Sequence, residues 1–576
     1  MDADLFRYRP ASMTDLLATR AAEMPDSQAF VYIPEREGGP RAALTYRELE
    51  LRANATAARL SRLTTPGDRA VLLFPPGLGF IVAFFGCLAA GVIAVPLMVP
   101  RRTAARDSSA AILADCAPRV VLTSADLWEG RPDLKEKFDG ANFSWMVINA
   151  GADAPPPKLE TRAPGPNDLA LLQYTSGSTS NPKGVMVSHG NIIANLEMIR
   201  LCMSNPAHAS SVSWVPLYHD MGLMMGVMQP LYLGGLSVLL APAAFMRRPL
   251  KWLQEIDAYR AVLTSAPNFA FDLCVSRLQP EMMRGIDLSC WRVALNGAEP
   301  IQADTIDRFT RAFAPYGFDA GTMYPGYGLA EATLLVSGGR RGAGSVRRRV
   351  SRDALRNDRV TAPHGDVDAQ WVVSSGRCVP GARIAIVNQE TSRRIPALSV
   401  GEVWVSGPSI ACGYWRDPEA TAATFEGQIA GDSGGPWLRT GDLGFLDRDG
   451  ELYLTGRIKD LIIIRGMNHY PQDIERTVQD SHPSLRRDGG AAFSVVDETG
   501  TERLVVVQEV ERTQRMHLDI EPMMRSIRES VTMAHEISVH SIALIRPASL
   551  PKTTSGKIQR SVARHLWWES RLDVVG

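Results

Sequence analysis

The sequence is poor in the features that commit a chain to several protein classes. It has only seven cysteines in 576 residues. Cys87, Cys116, Cys202, Cys274, Cys290, Cys378 and Cys412 form no CxxC pair. That argues against a zinc site or a disulfide framework and suits free thiols in a reducing cytosol. Neither sign of charge is in excess: Lys plus Arg and Asp plus Glu number 62 each. Nothing global therefore draws the chain to nucleic acid or to an anionic membrane, and any anion must be handled by a local site. The N-terminus lacks a basic run leading into an apolar one, so no secretory signal is expected and the chain reads as cytoplasmic. Long apolar runs are missing as well. The nearest, residues 80–95, falls short of the roughly 20 residues of a spanning helix, and Gly86 and Gly91 interrupt it. It reads as a buried helix near 80–90 followed by a strand near 92–96, with no transmembrane segment.

What remains is the composition of a soluble globular chain, 45% hydrophobic and 22% charged, long enough for two or more domains. Short β-branched or apolar runs recur at 70–74, 92–95, 120–123, 145–148, 212–215, 237–240, 262–264 and 293–295. Helical patterns such as 46–63 and 304–314 lie among them. This alternation predicts an α/β fold with largely parallel sheets and ligands at the strand ends. Past about residue 370 the runs at 371–373, 382–387, 402–406 and 451–455 are closely spaced, as in a small β-subdomain. A further compact α/β unit runs from 461 to the end, with strands at 462–464, 491–496 and 503–509 and helices at 473–479 and 520–533. Residues 337–369, rich in Gly and Arg and containing Arg347-Arg-Arg349, read as a solvated loop.

The strongest local signal is Tyr174-Thr-Ser-Gly-Ser-Thr-Ser-Asn-Pro-Lys-Gly184. Glycines let a backbone curl so that successive N–H groups converge on an anion; hydroxyls add donors and Lys183 adds charge. The Walker A spacing is absent. The string resembles the phosphate loop of the acyl-adenylate-forming enzymes: acyl-CoA synthetases, luciferases and peptide-synthetase adenylation domains. Further motifs of that superfamily follow in its order: Pro216-Leu-Tyr-His-Asp-Met-Gly222, Asn296-Gly-Ala-Glu-Pro300, Tyr324-Pro-Gly-Tyr-Gly-Leu-Ala-Glu331, Leu438-Arg-Thr-Gly-Asp-Leu-Gly444, Gly456-Arg-Ile-Lys-Asp460 and Pro551-Lys-Thr-Thr-Ser-Gly-Lys557. They span nearly the whole chain.

The resemblance implies ATP and Mg²⁺, a large N-terminal domain over 1–457, a hinge at 458–460 around Lys459, and a small mobile C-terminal domain over 461–576. It also implies roles. Thr175, Ser176, Gly177, Ser178, Thr179 and Lys183 hold phosphates. Asn296, Gly297, Ala298 and Glu299, with Tyr327, Gly328, Leu329 and Ala330, enclose the adenine; an aromatic face beside glycines suits a nucleobase. Glu331, a hard oxygen ligand, and Thr175 hold Mg²⁺. Asp442 accepts from the ribose hydroxyls, and Arg457 is a second ribose or phosphate contact. His219 lies near the acyl carboxylate and α-phosphate, with a structural histidine as the other reading. Joining a carboxylate to a phosphate brings two anions together, so a lysine between them favours the transition state. Lys557 is the catalytic candidate, and Lys552 the decoy.

Within the superfamily the chain resembles the fatty acyl-AMP ligases. The stretch from Asn468 to Glu475, Ala330 in place of the usual threonine, and room for an insertion near 345–366 point that way. In that branch the insertion is thought to hinder the swing needed for CoA thioesterification. Products pass instead to the phosphopantetheine arm of an acyl carrier protein, expected here on a separate chain. Met221, Met224, Met225 and Met228 with Leu231 and Leu233 could line an acyl tunnel, or simply pack a buried helix. An acyl-CoA synthetase and a non-catalytic adenylate-binding scaffold remain the alternative readings.

Overall fold

The computed structural model describes residues 9–35, 39–100, 109–138, 142–148, 162–175, 182–464, 467–498, 501–512, 519–553 and 557–575. It is an α/β molecule built on two large sheets and a small C-terminal α/β unit. A six-stranded sheet has the order Ser144–Ile148, Val120–Ser124, Arg69–Leu73, Ile93–Leu97, Leu169–Thr175, Lys183–Ser188. All its pairs are parallel except the last, a hairpin pairing Thr175 with Lys183.

In the second sheet Gln28–Ile33, Ser237–Leu240, Ser211–Ser213, Leu263–Pro267, Val293–Gly297 and Met323–Gly328 run parallel in that order. The sheet then continues into antiparallel strands Leu335–Gly338, Ala369–Cys378, Glu451–Arg457, Leu438–Leu446, Gly401–Ser406 and Arg383–Val387. This is the β-subdomain expected from the close strand spacing. The C-terminal unit has a three-stranded sheet of Leu485–Val496, Glu502–Val510 and Val539–Ile545, flanked by helices Pro471–Asp480 and Ile520–His535.

Local chemistry accounts for several boundaries. Thr45 and Glu48 form a capping box at helix Tyr46–Leu60, satisfying backbone donors that the first turn leaves free. The apolar run forms helix Leu78–Ala89 and strand Ile93–Leu97, both buried. Among the described residues, no helix is long and apolar enough to cross a membrane.

One expectation fails. Residues 337–369 are not simply a solvated loop: Arg347–Ser351 is a strand paired with Ala369–Cys378, followed by helix Arg352–Leu355. The arginine run is neutralised locally, Arg347 by Asp307 at 2.7 Å, Arg348 by Asp447 at 3.1 Å, and Arg349 by Asp366. Arginines on both faces of this strand thus pair with acids, while Val350 is buried with Leu355, Tyr453 and Tyr470.

Helix Leu78–Ala89 packs on Tyr46–Leu60 through Gly86, where an added Cβ would lie 2.5 Å from Thr56 Cγ2. Gly86→Val is expected to destabilise the large domain by about 1–3 kcal/mol through overpacking, read as a lower denaturant midpoint.

Candidate functional site

The motif segments meet where the strands that carry them end. Thr175 closes its strand and Lys183 opens the next; Ser176, Gly177, Ser178 and Thr179 lie outside the described residues. Gln173 Nε2 donates to Tyr218 O at 2.8 Å, joining the phosphate-loop strand to the turn that bears His219. Lys183 Nζ sits 3.3 Å from Asp417 Oδ2 and 4.8 Å from the ring centre of Tyr414. The hydroxyl of Tyr414 donates to Glu331 Oε1 at 2.8 Å. Tyr414 thus joins the lysine of the phosphate hairpin to the proposed metal ligand. Sequence reading passed over it, because a lone tyrosine in a turn carries no spacing signal.

The adenine and ribose motifs also touch directly. Tyr327 is buried, and its hydroxyl donates to Asp442 Oδ2 at 2.6 Å. Arg457 Nε donates to Asp442 Oδ1 at 2.7 Å, from the position paired with Asp442 across the two strands. The sequence suggested that Asp442 accepts from both ribose hydroxyls. Each of its oxygens already has a protein donor, and the second lone pair on each is what a ribose could use.

The loop after strand Val293–Gly297 is held from one side by helix Asn268–Ser276. Asn268 Oδ1 accepts from Asn296 Nδ2 and from Gln302 N, each at 3.2 Å. Phe269 N donates to Glu299 Oε1 at 2.6 Å. Asn296 Oδ1 is buried with no hydrogen-bond partner, and Ala298 adopts a φ of 66°. Gly297 and Gly328 are close-packed: a Cβ on Gly328 would lie 1.9 Å from Leu334 O. Leu329 and Ala330 are buried beneath them.

His219 caps the short helix Asp220–Leu223, and its Nδ1 lies 2.6 Å from Asp220 Oδ1. Burial pushes the Asp220 carboxyl up, but the His219 ring, the Lys557 ammonium and the Met221 N–H outweigh this and hold it at about 2. Beside this turn is an apolar cleft, its lining including Phe74, Phe80, Leu97, Val215, Leu217 and Tyr218. Met221, Met224, Met225, Met228, Leu231 and Leu233 do not line it; they are packed in the main core. Hydrophobicity alone could not separate a cleft wall from a core helix.

Lys557 comes from the C-terminal unit yet acts on these groups. Burial pushes its ammonium below the usual lysine range and Arg457 pushes the same way, while Asp220, Asp442 and Glu299 pull it back. The two units also meet around residues 352–358. Arg356 reaches Glu536 at 3.3 Å and Ala534 O at 3.1 Å, and Asn468 Nδ2 donates to Asp358 at 3.0 Å. Lys459 lies in the helical turn Ile458–Asp460 between them.

The profile of the family "AMP-binding enzyme" matches residues 17–415, and that of "Disco-interacting protein 2-like, AMP domain" matches 459–575. The chain belongs to the AMP-binding enzyme family. It is 43% identical over 575 residues to the medium-chain-fatty-acid–[acyl-carrier-protein] ligase JamA of Moorena producens, covering 98% of this chain and 96% of that protein. It is 38% identical over 568 residues to the long-chain-fatty-acid–AMP ligase FadD26 of Mycobacterium marinum, covering 96% of each. A fatty acyl-adenylate ligase from L. pneumophila, solved with acyl adenylate and pyrophosphate, superposes with a TM-score of 0.74 at 37% identity. That match covers 100% of this chain and 98% of the other.

In this AMP-binding enzyme, burial pushes the Glu299 carboxyl up from 4.5 to about 7; Asp488 acts in the same direction, and the Phe269 N–H, Lys557 and Lys552 oppose it. Folding therefore favours its protonated form. Its contribution to stability is complete below about pH 4.5 and is lost as pH rises towards 7. Glu299→Gln is expected to flatten the fall in thermal midpoint across that window.

Proposed function

We propose that this protein is a fatty acyl-AMP ligase that activates a fatty acid with ATP and passes the acyl group to an acyl carrier protein. The observation that carries this reading is the near-full-length similarity to ligases whose names specify fatty acid, AMP and acyl carrier protein. The clustering of Lys557 with the motif residues supports it.

In the first step a carboxylate oxygen attacks the α-phosphorus, the bond to the β-phosphate oxygen breaks, and pyrophosphate leaves. Lys557 offsets the repulsion between the two anions, a preorganised charge in a partly desolvated site. Ser176, Gly177, Ser178, Thr179 and Lys183 hold the β- and γ-phosphates. Residues 296–299 and 327–330 enclose the adenine, and Asp442 with Arg457 holds the ribose. His219 orients the carboxylate beside the α-phosphate.

Among the described residues there is no cluster of three or more acidic, histidine or cysteine side chains that would cage a metal. Mg²⁺ in such sites is held by one or two protein oxygens together with substrate phosphates. Glu331, with Oε1 on Tyr414, and the Thr175 hydroxyl fit as those oxygens. Bound there, Mg²⁺ would neutralise phosphate charge.

In the second step a phosphopantetheine thiol attacks the acyl carbonyl, loses its proton and displaces AMP. The carrier is a separate protein, and both steps occur in the cytoplasm, where the seven free thiols stay reduced. Residues 1–457 act as the large domain and 461–576 as the mobile one, turning about Lys459. The contacts of Arg356 and Asn468 restrain that turn, which disfavours CoA as acceptor.

The test is incubation with ATP, Mg²⁺ and a panel of fatty acids, with CoA or with a phosphopantetheine-loaded carrier protein. Acyl-AMP that persists with CoA and is consumed by the carrier is expected. Efficient acyl-CoA formation would make the protein a synthetase. Lys557→Ala is expected to slow acyl-AMP formation about 100-fold or more; a normal rate would refute its role. Arg356→Ala with Asn468→Ala is expected to raise acyl-CoA yield above that of the parent, measured on the same panel.

A further inference from the structure

Arg560 begins helix Arg560–Trp568, three positions after Lys557. Its guanidinium makes a two-point pair with Glu475, Nε to Oε1 and Nη2 to Oε2, both at 2.7 Å. Its third nitrogen, Nη1, reaches Asp460 Oδ2 at 3.0 Å. Side-chain exposure is 17% for Arg560, 6% for Glu475 and 22% for Asp460, so the cluster is largely out of water. Glu475 Oε1 also accepts from Ala492 N at 3.0 Å. A planar fork gives this arrangement a single geometry, which a lysine could not reproduce.

We infer that Arg560 is a positioning residue for adenylation, bracing the Lys557 segment against the linker at Asp460 and against Glu475. The inference rests on the reading of Lys557 given above. A group needed only to fold the C-terminal unit would be satisfied by Glu475, which lies within it. The bond to Asp460 goes further, into the turn Ile458–Asp460 that joins the unit to the rest of the chain.

The path continues in both directions. Towards the large domain, Arg457 precedes that turn and is bound to Asp442, which also holds Tyr327. Towards the lysine, Lys557 is fixed on both sides of its peptide: its N–H donates to Thr553 Oγ1 at 3.0 Å and its C=O accepts from Thr553 N at 2.7 Å. Gln559 N donates to Pro551 O at 3.0 Å, and the next residue is Arg560. Little freedom is left between the guanidinium and Lys557. The ribose-site carboxylate, the linker and the lysine are thereby joined as one braced unit. A displacement of about 1 Å at such a group can cost on the order of 100-fold in rate.

The inference is tested in the full-length protein with Asp460→Asn, which keeps the Arg560–Glu475 pair, and with Arg560→Lys, which keeps the charge but loses the fork. Lys557→Ala is the reference. Two reactions are measured: pyrophosphate release from ATP and a fatty acid, and acyl transfer from presynthesised acyl-AMP to pantetheine. For both variants kcat for pyrophosphate release is expected to fall roughly ten- to a hundredfold. KM for ATP and for the fatty acid should stay within about twofold, and the transfer rate should match the parent. Unaltered pyrophosphate release in both variants would overturn the inference. So would equal losses in the two reactions, the sign of a general structural defect. If Lys557→Ala abolishes release while these variants do not, only the brace is refuted. If Lys557→Ala is itself silent, the reading of the lysine fails and the brace falls with it.

Discussion

The carboxylate of Asp442 is buried with a protein donor on each oxygen, Tyr327 from one strand and Arg457 from another. An unpaired carboxylate at that depth would be costly, and the two donors offset its loss of water. The consequence is geometric. Tyr327 comes from the parallel part of the large sheet, Asp442 from the antiparallel part, and Arg457 from the strand that leads into the linker. One ion pair with one hydroxyl therefore fixes the adenine motif, the ribose motif and the start of the linker relative to one another.

Lys557 has to be read against that centre. Burial pushes its ammonium below the usual lysine range and Arg457 adds to this, while Asp220, Asp442 and Glu299 oppose it. The lysine belongs to a different unit from the acids that face it. Lys557 faces those acids only when the two units are apposed, and the contacts of residues 352–358 with Asn468 and with the end of helix Ile520–His535 add to that apposition.

Much of this architecture was legible beforehand. The alternation of β-branched runs with helical periods located eight of the parallel strands to within a few residues but missed Gln28–Ile33 and Met323–Gly328, and the glycine interruptions correctly made residues 80–95 a buried helix and strand. The arginine-rich segment at 347–349 was misread because charge runs are usually solvated. Its acidic partners Asp307 and Asp447 lie far away in sequence. The methionine stretch was ambiguous for a similar reason: core packing and a ligand wall demand the same apolar side chains.

By itself the sequence determined the chemistry available: which residues are hydroxyls, carboxylates or cations, and which short strings have a spacing suited to phosphate or nucleobase. These are properties of residue type and of neighbours along the chain, where loop geometry is local. Only the tertiary structure decided which of those groups share a site. Tyr414 beside Lys183 and Glu331, Asp220 within the field of Lys557, and Arg560 on Asp460 and Glu475 all join residues from separate elements. Such pairings depend on how strands and helices pack, and packing is set by surfaces buried over the whole molecule rather than by any motif.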